Sequence, residues 1–413
     1  MKKNGNSTKK DNYLLILKAF RNKSTLTKPN LADLTGLSNV TVNNAINDLI
    51  KTSIVIDQGI AESSGGRKAA LFSLNGGLFK IVGVVLSLDK IIVSLFDLNI
   101  NILASTTLDI DVDSLLIEES VNHISDMVHR LLTEEDINKE QLLGVGVSVP
   151  GTVECNKSVV NNVPRLKKWK NIPLKDMLED KLSVQVYVEN DVNGGLLALK
   201  WKDMISEDKS CVYLSLKGGV GARILLDGKI FRGNEGISGE IGHISVEQNG
   251  PHCKCGNRGC LELYISDGAI LKNAVEMAQE KKGGILYEIC ESNPETIDFN
   301  TIIEAGKEGD EAVVGIFQEA SRYMTLCIDM ILKIIAPMEL IIESEWLSHF
   351  DNYYYSILNT TYKNSSFFSR SDVRISLNTT KNIFLLGSAT IVLDEIMTKA
   401  DDNALLDMIE QLI

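Results

Sequence analysis

Val42, Ala45, Ile46 and Leu49 recur at i, i+3, i+4 and i+7, the buried stripe of an amphipathic helix. The segment that contains them, "LTKPNLADLTGLSNVTVNNAINDLIKTSIV", reads as two helices joined by a tight turn. Thr27 is placed to cap the first, and Pro29 is tolerated in its opening turn, where no intrahelical N–H is lost. Gly36 permits the left-handed backbone that ends that helix, and Ser38 is placed to cap the next. Upstream, "DNYLLILKAFRN" sets Leu14, Leu17, Ala19 and Phe20 at helical spacing, predicting one more helix. Downstream, "IVIDQGIAESSGGRKAALFSLN" reads as strand, tip and strand, with Gly65 and Gly66 turning the tip. Helix, helix, capped helix and hairpin in this order predict a winged helix-turn-helix over residues 1–76.

The pattern changes after residue 78. "KIVGVVLSLDKIIVSLFDLNINILASTTLDI" alternates β-rich runs with short polar breaks, as in a three-stranded meander. A helix over "SLLIEESVNHISDMVHRLL" and a buried strand "LLGVGVSVP" follow, and the alternation continues through "VQVYVEND", "CVYLSLKGG" and "MELIIES". "ATIVLDEIMTK" closes it as a helix. Such alternation predicts α/β layers. His123 and His129 lie on the first of these helices with no ligand partners nearby in sequence and are expected to be ordinary surface or satisfied positions.

At 413 residues, 44% hydrophobic and 23% charged, the chain is expected to form two or three globular domains rather than one. Its start carries lysines without an apolar run behind them, so no secretory leader is expected. No run reaches the roughly 18 apolar residues of a membrane span. Residues 1–74 hold eleven Lys+Arg against five Asp+Glu, which leaves 31 against 50 for the remainder. A basic head on an acidic body points to an anionic partner for the head alone. One face of the predicted second helix of the pair carries Asn39, Thr41, Asn43, Asn44 and Asn47. Asparagine disfavours helix interiors, so such a face is expected either to be plain solvated surface or to read bases, bidentate on adenine N6/N7. Arg67 and Lys68 at the hairpin tip would reach phosphates or a narrow minor groove.

Three of the seven cysteines fall within eight positions in "GHISVEQNGPHCKCGNRGCLE". Seven is odd, and the other four are scattered, which does not suit a disulfide framework and favours a reducing cytoplasm. His243, Cys253, Cys255 and Cys260 offer one imidazole and three thiolates, a donor set suited to tetrahedral Zn²⁺. Four protein ligands leave no open coordination position, so such a metal is expected to be structural, one per chain. Gly256 and Gly259 would let the loop close around it. His252 is a rival ligand, but binding next to Cys253 would strain so short a loop.

"GVGVSVPGTVE", "VYVENDVNGG", "GISGEIGHISV" and "HCKCGNRGCLELY" occur in the order and spacing of the ROK family (repressors, open reading frames and sugar kinases). The resemblance covers most of residues 78–400, and it too points to His243 rather than His252. It implies a two-lobed actin/hexokinase-like (ribonuclease H-like) body that binds a sugar in the interlobe cleft. Lobe 1 is expected over 78–192, completed by a C-terminal helix at about 388–413, and lobe 2 with the metal loop over 193–387. The sugar-contacting positions it implies are Asn190, Asp191, Glu240, His243 and Glu262.

In kinases of the family, Asp191 would be the general base. Phosphoryl transfer also needs Gly-rich phosphate nests. The first such turn is replaced here, with Val85 at the expected Asp and Ser87 and Leu88 where it should open. The second reads "KGGVGAR": Gly219 and Gly221 remain, but Lys217 and Gly218 stand at its head. "IIESEW" puts Glu343 and Glu345 where a polyphosphate would lie. The sequence therefore resembles the family's transcription-factor branch, which includes xylose and N-acetylglucosamine repressors. The expectation is a sugar-responsive DNA-binding regulator of carbohydrate use, not an enzyme, with Asp191 a vestigial base. It would bind double-stranded operator DNA and a small sugar, act as a homodimer or dimer of dimers, and have no membrane partner. Gly76 and Gly77 are expected to act as a hinge. A fused sugar kinase and a protein-interaction module with a vestigial head are the alternatives.

Overall fold

The computed structural model describes residues 9–398 except 22–24, 61–68, 155–157, 164–165, 206–208, 281–282, 366, 368 and 370–371. The N-terminal segment contains α1 (Lys9–Ala19), α2 (Lys28–Thr35), α3 (Asn39–Lys51), β1 (Val55–Ile60) and β2 (Ala70–Leu74), the strands pairing antiparallel. Thr27 caps α2 and exchanges bonds with Asn30, and Gly36 ends the helix at φ 69°. Ser38 caps α3 by accepting from the Thr41 N–H. Leu14, Leu17 and Phe20 are buried together with Leu31, Val42, Ala45, Ile46 and Leu49. Polar contacts add to this core: Asp48 on α3 accepts from the Tyr13 hydroxyl at 2.9 Å and pairs with Lys9 and Lys51, each at 3.1 Å. Gly65, Gly66, Arg67 and Lys68 lie outside the described residues.

Contacts divide the chain into two units, residues 1–204 with 382–413 and residues 205–381. In the first unit, β3 (Lys80–Leu86), β4 (Lys90–Phe96) and β5 (Ile102–Asp109) form the antiparallel meander. After α4 (Ile117–Glu134), β6 (Leu142–Val149) lies parallel to β3. A small sheet of β7 (Thr152–Glu154), β8 (Val159–Asn162) and β9 (Lys170–Ile172) follows, then α5 (Leu174–Leu182). Next, β10 (Val186–Asn190) lies parallel to β6, and α6 (Asp191–Trp201) follows at once. The sheet order is β10-β6-β3-β4-β5. The C-terminal helix, Ile383–Thr398, packs on this sheet and along α6. Two close approaches make that possible: a Cβ on Gly146 would lie 1.9 Å from the Ser388 carbonyl oxygen, and one on Gly387 2.5 Å from the backbone of Gly194. Because α6 is held by that helix, the division falls after Met204 rather than after residue 192.

The second unit repeats the arrangement. β11 (Cys211–Ser215), β12 (Gly221–Leu226) and β13 (Lys229–Phe231) are antiparallel neighbours. The helices α7 (Glu262–Ile265), α8 (Asp267–Glu280), α9 (Ile285–Ile289), α10 (Phe299–Glu308) and α11 (Glu311–Ile334) come next. β14 (Glu339–Glu343) then adds parallel to β11. Beyond α12 (Glu345–His349) and α13 (Asp351–Lys363), β15 (Arg374–Leu377) adds parallel to β14. The order β13-β12-β11-β14-β15 has the same mix of two antiparallel and two parallel pairings as the first unit's sheet. Apolar residues of the sheet and of α8, α10, α11 and α12 form its core, among them Leu214, Ile270, Phe317, Met324 and Trp346. No described helix is long and apolar enough to cross a membrane.

The junction between head and body is more constrained than two adjacent glycines suggest. The Gly76 N–H donates to the Leu74 carbonyl at 3.1 Å, and its carbonyl accepts from the Leu98 N–H at 3.4 Å. A Cβ on Gly76 would meet Asn99 Nδ2 at 2.6 Å, so this glycine lies against the β4–β5 turn.

Candidate functional site

The cysteine loop is shaped by its backbone before any side chain is considered. The Gly259 N–H donates to the Pro251 carbonyl and its own carbonyl accepts from Val246, both at 2.8 Å. At φ 59°, with a would-be Cβ 1.7 Å from the Glu247 carbonyl, only glycine fits at 259. The Cys253 N–H donates to Asn257 O at 2.8 Å, and Gly256 closes the turn at φ +100°. These bonds bring one ligand atom from each of His243, Cys253, Cys255 and Cys260 within 4.8 Å of one another. His252 stays out of the group, exposed and bridged by its backbone to Arg258.

The donor set fits a metal ion. Cys255 and Cys260 sulfurs are 3.6 Å apart and the Cys253 sulfur is 3.7 Å from His243 Nδ1. Edges of that length suit a tetrahedron with bonds of about 2.3 Å. Burial and the neighbouring thiols push the Cys253 and Cys260 thiols up. Burial opposes ionisation of Cys255 as well, but the Asn257 backbone and the two neighbouring thiols more than offset it. Three crowded thiols beside the Glu262 carboxylate cannot all ionise without a cation to neutralise them. His123 and His129, both on α4, belong to no such cluster among the described residues.

Glu262, the first residue of α7, places Oε1 3.4 Å from the Cys253 sulfur and 3.8 Å from His243 Nδ1. Glu240 is anchored by a residue that gave no signal in the sequence. The Arg223 guanidinium, 3% exposed on β12, reaches Glu240 Oε1 at 2.7 Å and donates to the Ala222 and Ser238 carbonyls. In the first unit, Asn190 is buried at the junction of β10 and α6. Its Oδ1 caps α6 by accepting from the Val192 and Asn193 N–H groups, and its Nδ2 donates to the Gly151 carbonyl at 2.9 Å. The adjacent Asp191 carboxylate is half-buried and accepts from Val192 N–H at 2.8 Å.

On α3, Asn39, Asn43, Asn44 and Asn47 are exposed, while Thr41 is half-buried and bonded to Ser38. Val40, 71% exposed, stands in register with Asn43, Asn44 and Asn47 at i+3, i+4 and i+7. That spacing was the available signal for it. Lys28 is a further member of this face, reached from α2: its ammonium bonds Asn43 Oδ1 at 2.6 Å and Asn47 Oδ1 at 3.3 Å.

The phosphate-loop positions are filled by the protein's own groups. Val85 is buried, and Leu88 packs partly into the core of the first unit, with Ser87 N–H closing a tight turn onto Lys90 O at 2.9 Å. Lys217 pairs with the buried Glu343 at 3.1 Å, and Glu343 also accepts from the Tyr213 hydroxyl and from Asn378. Asp267 lies nearby, accepting from the Glu345 N–H at 3.0 Å. Burial pushes its carboxyl up to about 7, against the bonds from Glu345 N–H and Ser344. Glu345 itself is half-buried and faces His349 at 3.7 Å.

Two α/β units of one topology, with a three-helix head in front, define an actin/hexokinase-like protein. The ROK family model matches residues 81–395, and the chain belongs to the ROK family. A xylose repressor of Caldicellulosiruptor bescii is 29% identical over 400 residues, 95% of this chain and 98% of that protein. Among solved structures, a ROK family transcriptional regulator, homologue of the E. coli MLC protein, superposes with a TM-score of 0.75 at 22% identity. That superposition covers 97% of this chain and all of the other. A ROK family glucokinase from Streptomyces griseus, in complex with glucose and AMPPNP, gives 0.64 at 22% identity and covers 76% of this chain and 99% of its own. The family thus holds both regulators and kinases.

Proposed function

We propose that this chain is a sugar-responsive, DNA-binding transcriptional repressor of carbohydrate-utilisation genes. One observation carries the reading: similarity to a xylose repressor runs along 95% of the chain and therefore includes most of the head. The head is then a winged helix-turn-helix with α3 as recognition helix. Asn39, Thr41, Asn43, Asn44 and Asn47 face bases, and Arg67 and Lys68 supply cations to the backbone. A dimer is needed, since one short helix buries too little surface for a specific site.

The proposed sugar-contacting residues are Asn190 and Asp191 in the first unit and Glu240, His243 and Glu262 in the second. Arg223 holds Glu240 in place, which supports that assignment. Asn190 caps α6 and also donates to the Asp191 carboxylate at 3.1 Å, so the two side chains are held together at the β10–α6 junction. Xylose is the first sugar to try. The metal is structural zinc held by His243, Cys253, Cys255 and Cys260, and it steadies the loop that carries Glu262. Leu88 packs on the core of the first unit, and in the second Lys217 pairs with Glu343, each at a position where kinases of the family would hold phosphate, which supports a non-enzymatic role.

The test is salt-dependent binding of the full chain to DNA upstream of its own gene, with and without xylose and other monosaccharides. Sequence-preferring binding that one sugar shifts is expected. Sugar-dependent ADP release abolished by Asp191→Asn would instead establish the kinase reading.

A further inference from the structure

We propose that Lys28, outside the recognition helix, sets base specificity by making the Asn43 and Asn47 positions select guanine over adenine. This deepens the reading of α3 as a base-reading helix and rests on it. Three contacts fix the ammonium: Asn43 Oδ1 at 2.6 Å, Asn47 Oδ1 at 3.3 Å and the Phe72 ring, whose centroid is 5.3 Å away. Phe72 is buried and locked on the hairpin, exchanging backbone bonds with Leu26 at 2.8 Å in both directions. The lysine is therefore held from the α2 side, the α3 side and the strand beneath.

An ammonium has donors only. Each amide must accordingly turn its oxygen toward Lys28, so the identity of the facing atom follows from chemistry. What remains for a partner is the Nδ2 donor of each asparagine and a single Oδ1 lone pair, both next to a positive charge. Guanine offers two acceptors in the major groove, N7 and O6, whereas adenine offers the N7 acceptor and the N6 amine donor. A bidentate asparagine–adenine pair needs Oδ1 to accept from N6, beside a cation that repels it. The charge and the spare donors both favour guanine, which narrows the adenine expectation raised by asparagines alone.

The experiment uses the full chain. Preferred sites are selected from a randomised duplex pool, and dissociation constants are then measured on duplexes differing at single base pairs. Wild type should prefer G·C over A·T at one position of each half-site by about tenfold or more. Lys28→Met and Lys28→Gln, which keep a stem over Phe72 without charge, should reduce that ratio to within about twofold or reverse it. Lys28→Arg should keep it. Uniform weakening on every sequence, with the salt slope reduced by about 0.9, would make Lys28 a phosphate contact and overturn the proposal while leaving α3 as reader. An A·T preference in wild type at this position would also overturn it. If wild type selects no sequence at all, the DNA-reading role fails, and this inference with it.

Discussion

The asparagine face of α3 and the cysteine loop of the second unit both gather polar side chains, but they aim them in opposite directions. On α3 the backbone is satisfied by the helix, and Asn39, Asn43, Asn44 and Asn47 stand exposed around a lysine. In the loop, four ligand atoms point at one another within 4.8 Å. The first arrangement is complete without its partner, because water can solvate each amide. The second crowds thiols that burial and mutual repulsion keep from ionising together. A polar face turned outward costs the fold little, whereas thiols crowded inward are the ones a cation would steady.

The sharpest way to break that contrast is to remove the metal. The protein as purified should carry about one zinc per chain, and Cys255→Ser should abolish it, lower the thermal midpoint and weaken sugar binding through Glu262. Metal analysis with calorimetry and a sugar titration reads all three. Metal-free protein with unchanged sugar affinity would show the loop to be indifferent to its ion. Asn44→Ala should do the reverse, costing about 1–3 kcal/mol on the preferred operator and almost nothing in thermal midpoint. Equal losses on operator and random DNA would remove Asn44 from base reading.

The next effect is reciprocal coupling between the head and the sugar. If the sugar changes operator affinity, saturating operator must change sugar affinity by the same factor, typically about 5- to 150-fold. Identical sugar dissociation constants with and without operator would disconnect the two.

The smallest expected effect is a difference in pH response between two aspartates. Burial opposes ionisation of Asp48 in the head, but Lys9, Lys51 and Tyr13 hold its carboxyl below the usual range. Its stabilising contribution is present above the unfolded value of 3.8 and is lost as pH falls through the lower folded one. Asp267 in the second unit is raised to about 7, chiefly by burial. Its contribution is present below 3.8 and is lost as pH rises through about 7. Asp267→Asn should therefore flatten the decline in thermal midpoint across that window, and Asp48→Asn should flatten the acid limb instead. An unchanged profile in the first variant would contradict a buried, proton-holding Asp267.

Much of the head could be read directly. Thr27, Gly36 and Ser38 cap and end helices because capping is a contact over two to four residues, and the Val42–Leu49 stripe follows from helical period. The meander and the strand–helix alternation of the body were visible for the same reason, as was the cysteine cluster, whose donors lie within 18 positions. The setting of Gly76 was less legible, since composition says "flexible" while its backbone bonds reach Leu74 and Leu98. Lys28 was hidden because it reaches Asn43 across 15 residues of chain, from a different helix.

By itself, then, the sequence determined the helices and caps of the head, the opening strands of the body, the His/Cys cluster and the family, all properties carried by near neighbours or by motif spacing. Only the tertiary structure decided which polar groups are already spoken for. Arg223 and Glu240 are 17 residues apart, Asp267 and Ser344 77, and Tyr213 and Glu343 130. Whether a charged side chain is offered to a ligand or spent inside the protein depends on what packs beside it, and no local period in the chain encodes that distance.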